Sequence, residues 1–367
     1  METLVTTILA AVLVLGLLIF VHELGHFLVA KLSGVSVLRF SLGFGPRVFG
    51  RRVGETEYVL SLVPLGGYVK MLGEDTELED VGAAEIIPVV TDPSRSFATQ
   101  SLVKRFAIVL AGPAFNFLFA WLCLVVVAGA YGILKPVEEA RVGGVSAGLP
   151  AEKAGIRPQD QVLSVDGEGI STWDQLSEKI LASEGKEVVL GVDRSGERVD
   201  VKVIPEKQVN RNLFGEEVGE VYRIGIERAM QTEEVSWAAA PWLASVQVAF
   251  YSKLILVSIG KMIQGKISAR ELGGPITIAR VAGERAQGGI KALLEFMAFL
   301  GVNLGVLNLF PIPVLDGGHL LFFAVEAVVR RPVRARTREL AQQVGLFLLV
   351  SLMLLAVYND IYRWIQG

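Results

Sequence analysis

His22 and His26 stand four residues apart in Phe20-Val21-His22-Glu23-Leu24-Gly25-His26-Phe27, inside the first long apolar run of the chain. On a helix the two imidazoles share one face, a turn apart, and can both reach one tetrahedral zinc ion. Glu23 adjoins the first of them without replacing a ligand, where it could take a proton from a water that the metal acidifies. A bare H-E-x-x-H also arises by chance on solvated helices, but this setting is different. Leu4 to Val21 are 18 consecutive uncharged residues. A carboxylate at such depth costs about 2.5–3.5 kcal/mol, so ionisable groups there are kept for function. Of the three histidines in the chain, two lie in this motif.

A catalytic zinc takes three protein ligands and keeps one position open. The remaining donors are His319 and acidic groups, and one stretch stands out: Asn303-Leu304-Gly305-Val306-Leu307-Asn308-Leu309-Phe310-Pro311-Ile312-Pro313-Val314-Leu315-Asp316-Gly317-Gly318-His319. Pro311 and Pro313 interrupt a helix and free carbonyls that a polar cavity could use. Asp316 follows at the cytoplasmic end of that run, the depth at which His22 and His26 sit if the first run passes from outside to inside. Asp316 is therefore assigned as the third ligand. His319 is left to orient a neighbour by hydrogen bonding or to cap a turn.

These residues need elements to hold them. The chain has 367 residues, 52% hydrophobic and 20% charged, with a mean hydropathy of +0.50: a membrane protein with some soluble mass. A net charge of −3 without a basic repeat offers nothing to nucleic acid. The single Cys123 excludes an intrachain disulfide and a cysteine zinc knuckle. The N-terminal run lacks a basic leader and carries candidate catalytic residues, so it is expected to stay as a span. Four transmembrane helices are expected, over 1–32, 104–134, 292–328 and 340–362. Lys and Arg cluster after the first, before the second and between the last two. The charge rule puts those regions in the cytoplasm, and both termini and the region from about 135 to 291 outside. A fifth apolar stretch, 242–264, contains Gln247, Ser252, Lys253 and Lys261. Spanning would force the arginines at 330–338 outside, so it is expected to lie on the outer leaflet as an amphipathic helix.

Between the first two spans, 35–72 is rich in Val, Phe, Tyr and Gly with turn signals at Gly43-Phe44-Gly45-Pro46 and Val53-Gly54-Glu55. It reads as antiparallel strands, either dipping into the membrane with an edge facing the site or packing as a cytoplasmic hairpin. A cytoplasmic loop over 73–103 follows, acidic from Glu74 to Asp92. Residues 137–206 resemble a bacterial-type PDZ domain in the Pro150-Ala151 to Gly155 turn, the strand ending Val165-Asp166-Gly167 and the helix near Trp173 to Glu184. Such domains usually have Pro-Gly-Asp where this chain has Pro158-Gln159-Asp160. PDZ domains bind extended peptide tails by strand addition; a steric spacer is the plainer reading. Residues 207–291 then lead back to the membrane.

Taken together, H-E-L-G-H and N-L-G-V-L-N-L-F-P-I-P-V-L-D-G-G-H resemble the site-2 protease family of intramembrane zinc metalloproteases. More narrowly, the chain looks like the bacterial regulator-of-sigma-E protease group. The match extends to Phe44-Gly45-Pro46, Pro64-Leu65-Gly66-Gly67-Tyr68-Val69, Ala111-Gly112-Pro113-Ala114-Phe115-Asn116 and Gly274-Pro275-Ile276. The resemblance implies His22, His26 and Asp316 as ligands of one zinc, with Glu23 as general base. It implies a membrane re-entrant sheet around Phe44, Gly45, Gly66, Gly67 and Tyr68 that holds substrate as a strand, with Asn303 and Asn308 also holding substrate or intermediate. It further implies a multi-pass protein of the bacterial inner membrane with an extracytoplasmic PDZ domain. Its substrates would be single-span membrane proteins, such as anti-sigma factors already cut outside or remnant signal peptides. A substrate helix hides its carbonyls in its own hydrogen bonds and must unwind; pairing with a sheet offsets that loss.

Two other classes are weighed. A silent scaffold binding partner tails would lack one of the four zinc-site residues, and all four are present. A membrane protease for soluble or lipidated termini would place a Glu downstream on a helix, whereas Asp316 follows a proline break.

Overall fold

A computed structural model describes residues 2–73, 92–212 and 214–366. The expected acidic loop from Glu74 lies almost wholly outside these residues. In chain order the elements are α1 (Glu2–Leu32), β1 (Val37–Val53), β2 (Thr56–Met71), α2 (Leu102–Tyr131), β3 (Ile133–Pro136), β4 (Val142–Val145) and α3 (Pro150–Lys153). There follow β5 (Gln161–Val165), β6 (Glu168–Gly169), α4 (Trp173–Ala182), β7 (Val188–Arg194), β8 (Glu197–Val203), β9 (Glu206–Arg211), β10 (Glu217–Arg223), β11 (Ile226–Arg228) and β12 (Met230–Glu233). The chain ends in α5 (Ala240–Ile263), α6 (Pro275–Gln287), α7 (Gly289–Asn308), α8 (Asp316–Val329) and α9 (Ala335–Gln366). The chain divides into two compact units, one of residues 1–127, 237–263 and 268–367 and the other of 128–236 with 264–267.

The first unit is built on apolar helices. Among the described residues five are long and apolar enough to cross a membrane: within α1, α2, α5, α7 and α9. This is a multi-pass membrane protein. The residues expected to form an outer-leaflet helix at 242–264 form α5, which passes the same length and composition test as the others. One stripe of α1, Ala11, Val14 and Leu18, is buried against Ala282 of α6 and Met297 and Leu300 of α7. At the spacing of three and four that keeps residues on one helical face, that stripe continues through His22 and His26. The two histidines therefore point into protein, not lipid. On the other side, Ala120, Cys123 and Leu124 of α2 pack with Ala244 and Ile255 of α5 and Ala298, Val302 and Val306 of α7.

The third span expected over 292–328 is two helices. α7 stops at Asn308 and α8 starts at Asp316, because Pro311 and Pro313 cannot donate to a continuing helix. Gly317 and Gly318 let α8 start against its own connection. A Cβ on the first would lie 2.2 Å from the Phe310 carbonyl oxygen, and on the second 2.4 Å from that of Ile312. The segment expected as strands over 35–72 is strand throughout β1 and β2. Arg39 to Leu42 pair on both sides, with Gly67–Lys70 and with Glu57–Leu60, leaving Gly66 to Met71 as an edge.

The second unit carries a four-stranded sheet in the order β6-β5-β7-β8. Asp166 and Gly167, both at positive φ, make the two-residue turn that β5 and β6 require. α4 is closed by a capping box in which Thr172 accepts from Gln175 N–H and Gln175 answers. The core here is Val142, Ile156, Val162, Leu176, Leu190 and their neighbours, and it includes Ile224. The sequence reading ends this module at 206. Instead β11 pairs with β4, and the β9–β10 hairpin is an excursion between two parts of one unit. The run expected as span up to 134 also ends earlier, since β3 pairs with β12.

Candidate metal centre

Three side chains from two helices converge in the first unit. His22 Nε2 and His26 Nε2 are 3.2 Å apart, their rings at 86°. Asp316 at the start of α8 brings Oδ2 to 3.1 Å from His22 Nε2 and Oδ1 to 3.5 Å from His26 Nε2. Zinc–ligand bonds of about 2.0–2.1 Å in a tetrahedron put the ligand atoms roughly 3.3 Å apart, which these separations match. Asp316 Oδ2 is buried, and its approach to His22 lacks hydrogen-bond geometry, so it has no donor. Converging lone pairs with an orphaned carboxylate oxygen are what a cation satisfies, and the donor set suits zinc.

The surroundings fix the rings. His26 Nδ1 donates to the Ile108 carbonyl at 2.8 Å, which leaves Nε2 to face inward. Gly112, one turn further along α2, roofs both imidazoles: a Cβ there would lie 2.2 Å from His26 Nε2 and 2.7 Å from His22 Cε1. Gly25 lets α1 and α2 approach, its missing Cβ 2.4 Å from the Ala111 carbonyl oxygen. Asn116, only 1% exposed, puts Nδ2 3.2 Å from His22 Nδ1. The Ile108 carbonyl and the roles of Gly112 and Asn116 are missed by sequence reasoning. The available signal is the small and polar pair four apart on one span facing a His pair four apart on another.

Glu23 lies beside the β2 edge. A Cβ on Gly67 would meet Glu23 Cγ and the Ser41 carbonyl oxygen at 2.9 Å each, so glycine is needed for strand and carboxylate to pack this closely. A cavity of about 780 Å³ contains His22, Glu23, His26 and Asp316 in its wall. Of the residues expected to hold substrate, Phe44, Gly66, Gly67, Tyr68 and Asn308 line it as well, while Gly45 and Asn303 are outside the lining. Phe44 and Tyr68 stack at 6.3 Å between centroids. His319 lines the same cavity but lies outside the cluster of three.

Comparison with known proteins agrees with this chemistry. The model for Peptidase family M50 matches residues 10–352. A Mesorhizobium japonicum protein named as a zinc metalloprotease is 36% identical, over 97% of this chain and 98% of its own length. The zinc metalloprotease RasP of Geobacillus kaustophilus is 30% identical, over 98% of each chain. A Campylobacter jejuni protein, again named as a zinc metalloprotease, is 36% identical over 97% of this chain and 93% of its own. With most of its length matched by the family model and by relatives over more than nine-tenths of their own, the chain belongs to Peptidase family M50, the site-2 proteases, and is a zinc metalloprotease.

Proposed function

We propose that this protease cuts peptide bonds within the transmembrane segments of single-span proteins. The observation that carries this reading is the edge strand Gly66–Tyr68 lying against Glu23 in the cavity that also holds His22, His26 and Asp316. His22, His26 and Asp316 hold the zinc, which when bound polarises the scissile carbonyl and acidifies a water. Glu23 takes the proton of the attacking water and returns it to the leaving amide nitrogen. A substrate helix that unwinds in the cavity recovers backbone hydrogen bonds by pairing with the free edge of β2. The Phe44–Tyr68 stack forms the cavity wall beside the unwound segment, and Asn308 donates to its carbonyls or to the oxyanion.

The same reading extends to topology. With the arginine-rich connection 330–338 in the cytoplasm, α1, α2, the α7–α8 pair and α9 make four crossings of a bacterial inner membrane. The termini and the second unit are then extracytoplasmic, and α5 lies along the outer leaflet. The second unit acts as a PDZ module, taking peptide tails or blocking bulky substrates. Substrates are anti-sigma factors already trimmed outside, or remnant signal peptides.

Co-expression with single-span test substrates, intact or truncated on the outer side, tests the reading against Glu23→Gln. Cleavage inside the span by the unaltered chain, lost by roughly 10²-fold or more in the variant while zinc stays bound, is the expected result. Equal cleavage by Glu23→Gln would overturn it.

A further inference from the structure

Each imidazole that ligates through Nε2 must carry its proton on Nδ1, and that proton needs an acceptor. For His26 the acceptor is the backbone carbonyl of Ile108. For His22 two side chains come near. The Asn308 amide nitrogen is 3.5 Å from both ring nitrogens. The in-plane directions of the two nitrogens diverge, so a group equidistant from both lies along neither and cannot accept squarely from Nδ1–H. Asn116 is different: it is 3.2 Å from Nδ1, it is buried, and its Oδ1 has no partner. As the amide stands, its N–H₂ meets the protonated Nδ1 donor to donor. A half-turn of the carboxamide exchanges its two ends and resolves the clash.

Resting on the assignment of His22 as a zinc ligand, we propose that Asn116 is a positioning residue: its Oδ1 accepts from His22 Nδ1–H and thereby holds Nε2 unprotonated and turned toward His26 and Asp316. The two ligand histidines are then oriented by different means. His26 is held by backbone that no substitution removes, and His22 by a single side chain of α2.

The test uses the full chain purified in detergent, with zinc affinity read by competition with a chromophoric chelator. Asn116→Leu, which keeps volume but has no acceptor, should weaken zinc binding about 10–100-fold. Asn116→Asp, which keeps an acceptor, should stay within about threefold of the unaltered chain. Unchanged affinity in Asn116→Leu, or an equal loss in Asn116→Asp, would overturn the proposal. Nitrogen-15 spectra of the zinc-loaded, histidine-labelled protein give a readout independent of any variant's folding, because the chain holds only three histidines. A proton on His22 Nδ1 is expected; a proton on Nε2 would overturn the assignment. His26→Phe separates the two levels. If it too keeps full zinc affinity, the metal site itself is misassigned, whereas loss in His26→Phe without loss in Asn116→Leu rejects Asn116 alone.

Discussion

Gly112 of α2 sits directly over His26 of α1, so close that a single added methyl would lie 2.2 Å from Nε2. His22 and His26 are thus held where α1 lies against α2, and the approach of those two helices sets how much room the rings have.

Gly112→Ala should therefore cost metal before it costs fold. Overpacking of this kind costs about 1–3 kcal/mol, and if the rings yield to it, zinc affinity falls roughly ten- to a hundred-fold. Zinc content after dialysis, with the helical circular dichroism signal retained, checks this. A variant that holds zinc as tightly as the parent would show that the helices separate instead.

Asp360 of α9 is a second such joint. Its carboxylate accepts from the N–H groups of Gly274, Ile276 and Thr277 at 2.9–3.0 Å and from Thr277 Oγ1 at 2.6 Å, capping α6 from a distant helix. Asp360→Ala leaves these donors without their acceptor and should destabilise the first unit by roughly 2–3 kcal/mol. Asp360→Asn, which keeps one acceptor oxygen, should lose less. Denaturant unfolding in detergent would show the order, and equal stability of all three proteins would refute the cap.

Gln159 occupies the left-handed region at φ 74, the conformation that a glycine takes freely. The strain of about 1–2 kcal/mol exceeds the extra unfolded-state freedom of glycine, about 0.5–1 kcal/mol. Gln159→Gly should raise stability by about 0.5–1 kcal/mol. Calorimetry should find a higher melting temperature for the second unit; a lower one would mean that the Gln159 side chain contributes more than its backbone costs.

Asp160 gives the second unit a defined acid sensitivity. Burial pushes its carboxyl up, but Arg194, with Nε 2.9 Å and Nη2 2.7 Å away, and the Arg157 N–H overcome this and hold it below the usual carboxylate range. Its folded value lies under its unfolded value of about 3.9. The contribution is therefore full above about pH 4 and is lost as pH falls through the depressed value. Hydrogen exchange of β5 amides should show Asp160→Asn less protected than the parent at pH 7, with the gap closing below pH 4. A gap that stays constant with pH would exclude the carboxylate as its origin.

The site was the most legible part of this chain. His22, Glu23, His26 and Asp316 are ionisable groups among apolar residues, and that contrast survives without a structure. Pro311 and Pro313 likewise announced the break that became the α7–α8 turn. What stayed hidden is carried by residues whose types say little. Gly112 and Asn116 look like ordinary members of a span until α1 lies against them, and the Ile108 contribution is a carbonyl that every residue has. Ile224 fell outside the expected module because the β9–β10 hairpin separates it in sequence from the core it completes. α6 went unread because its helix start depends on Asp360, which lies in another element.

That dependence has a consequence in time. Asp360 emerges from the ribosome 86 residues after Gly274, and at 5–20 residues per second the interval is roughly 4–17 s. Throughout it, the amides that begin α6 are without the carboxylate that caps them. α6 packs on the N-terminal half of α1, whose C-terminal half carries His22 and His26, so the helix bearing the H-E-L-G-H motif is among the first made and the last to be fully braced. A newly inserted chain must pass through a stage in which His22, His26 and Asp316 are all present and the frame around them is not yet closed.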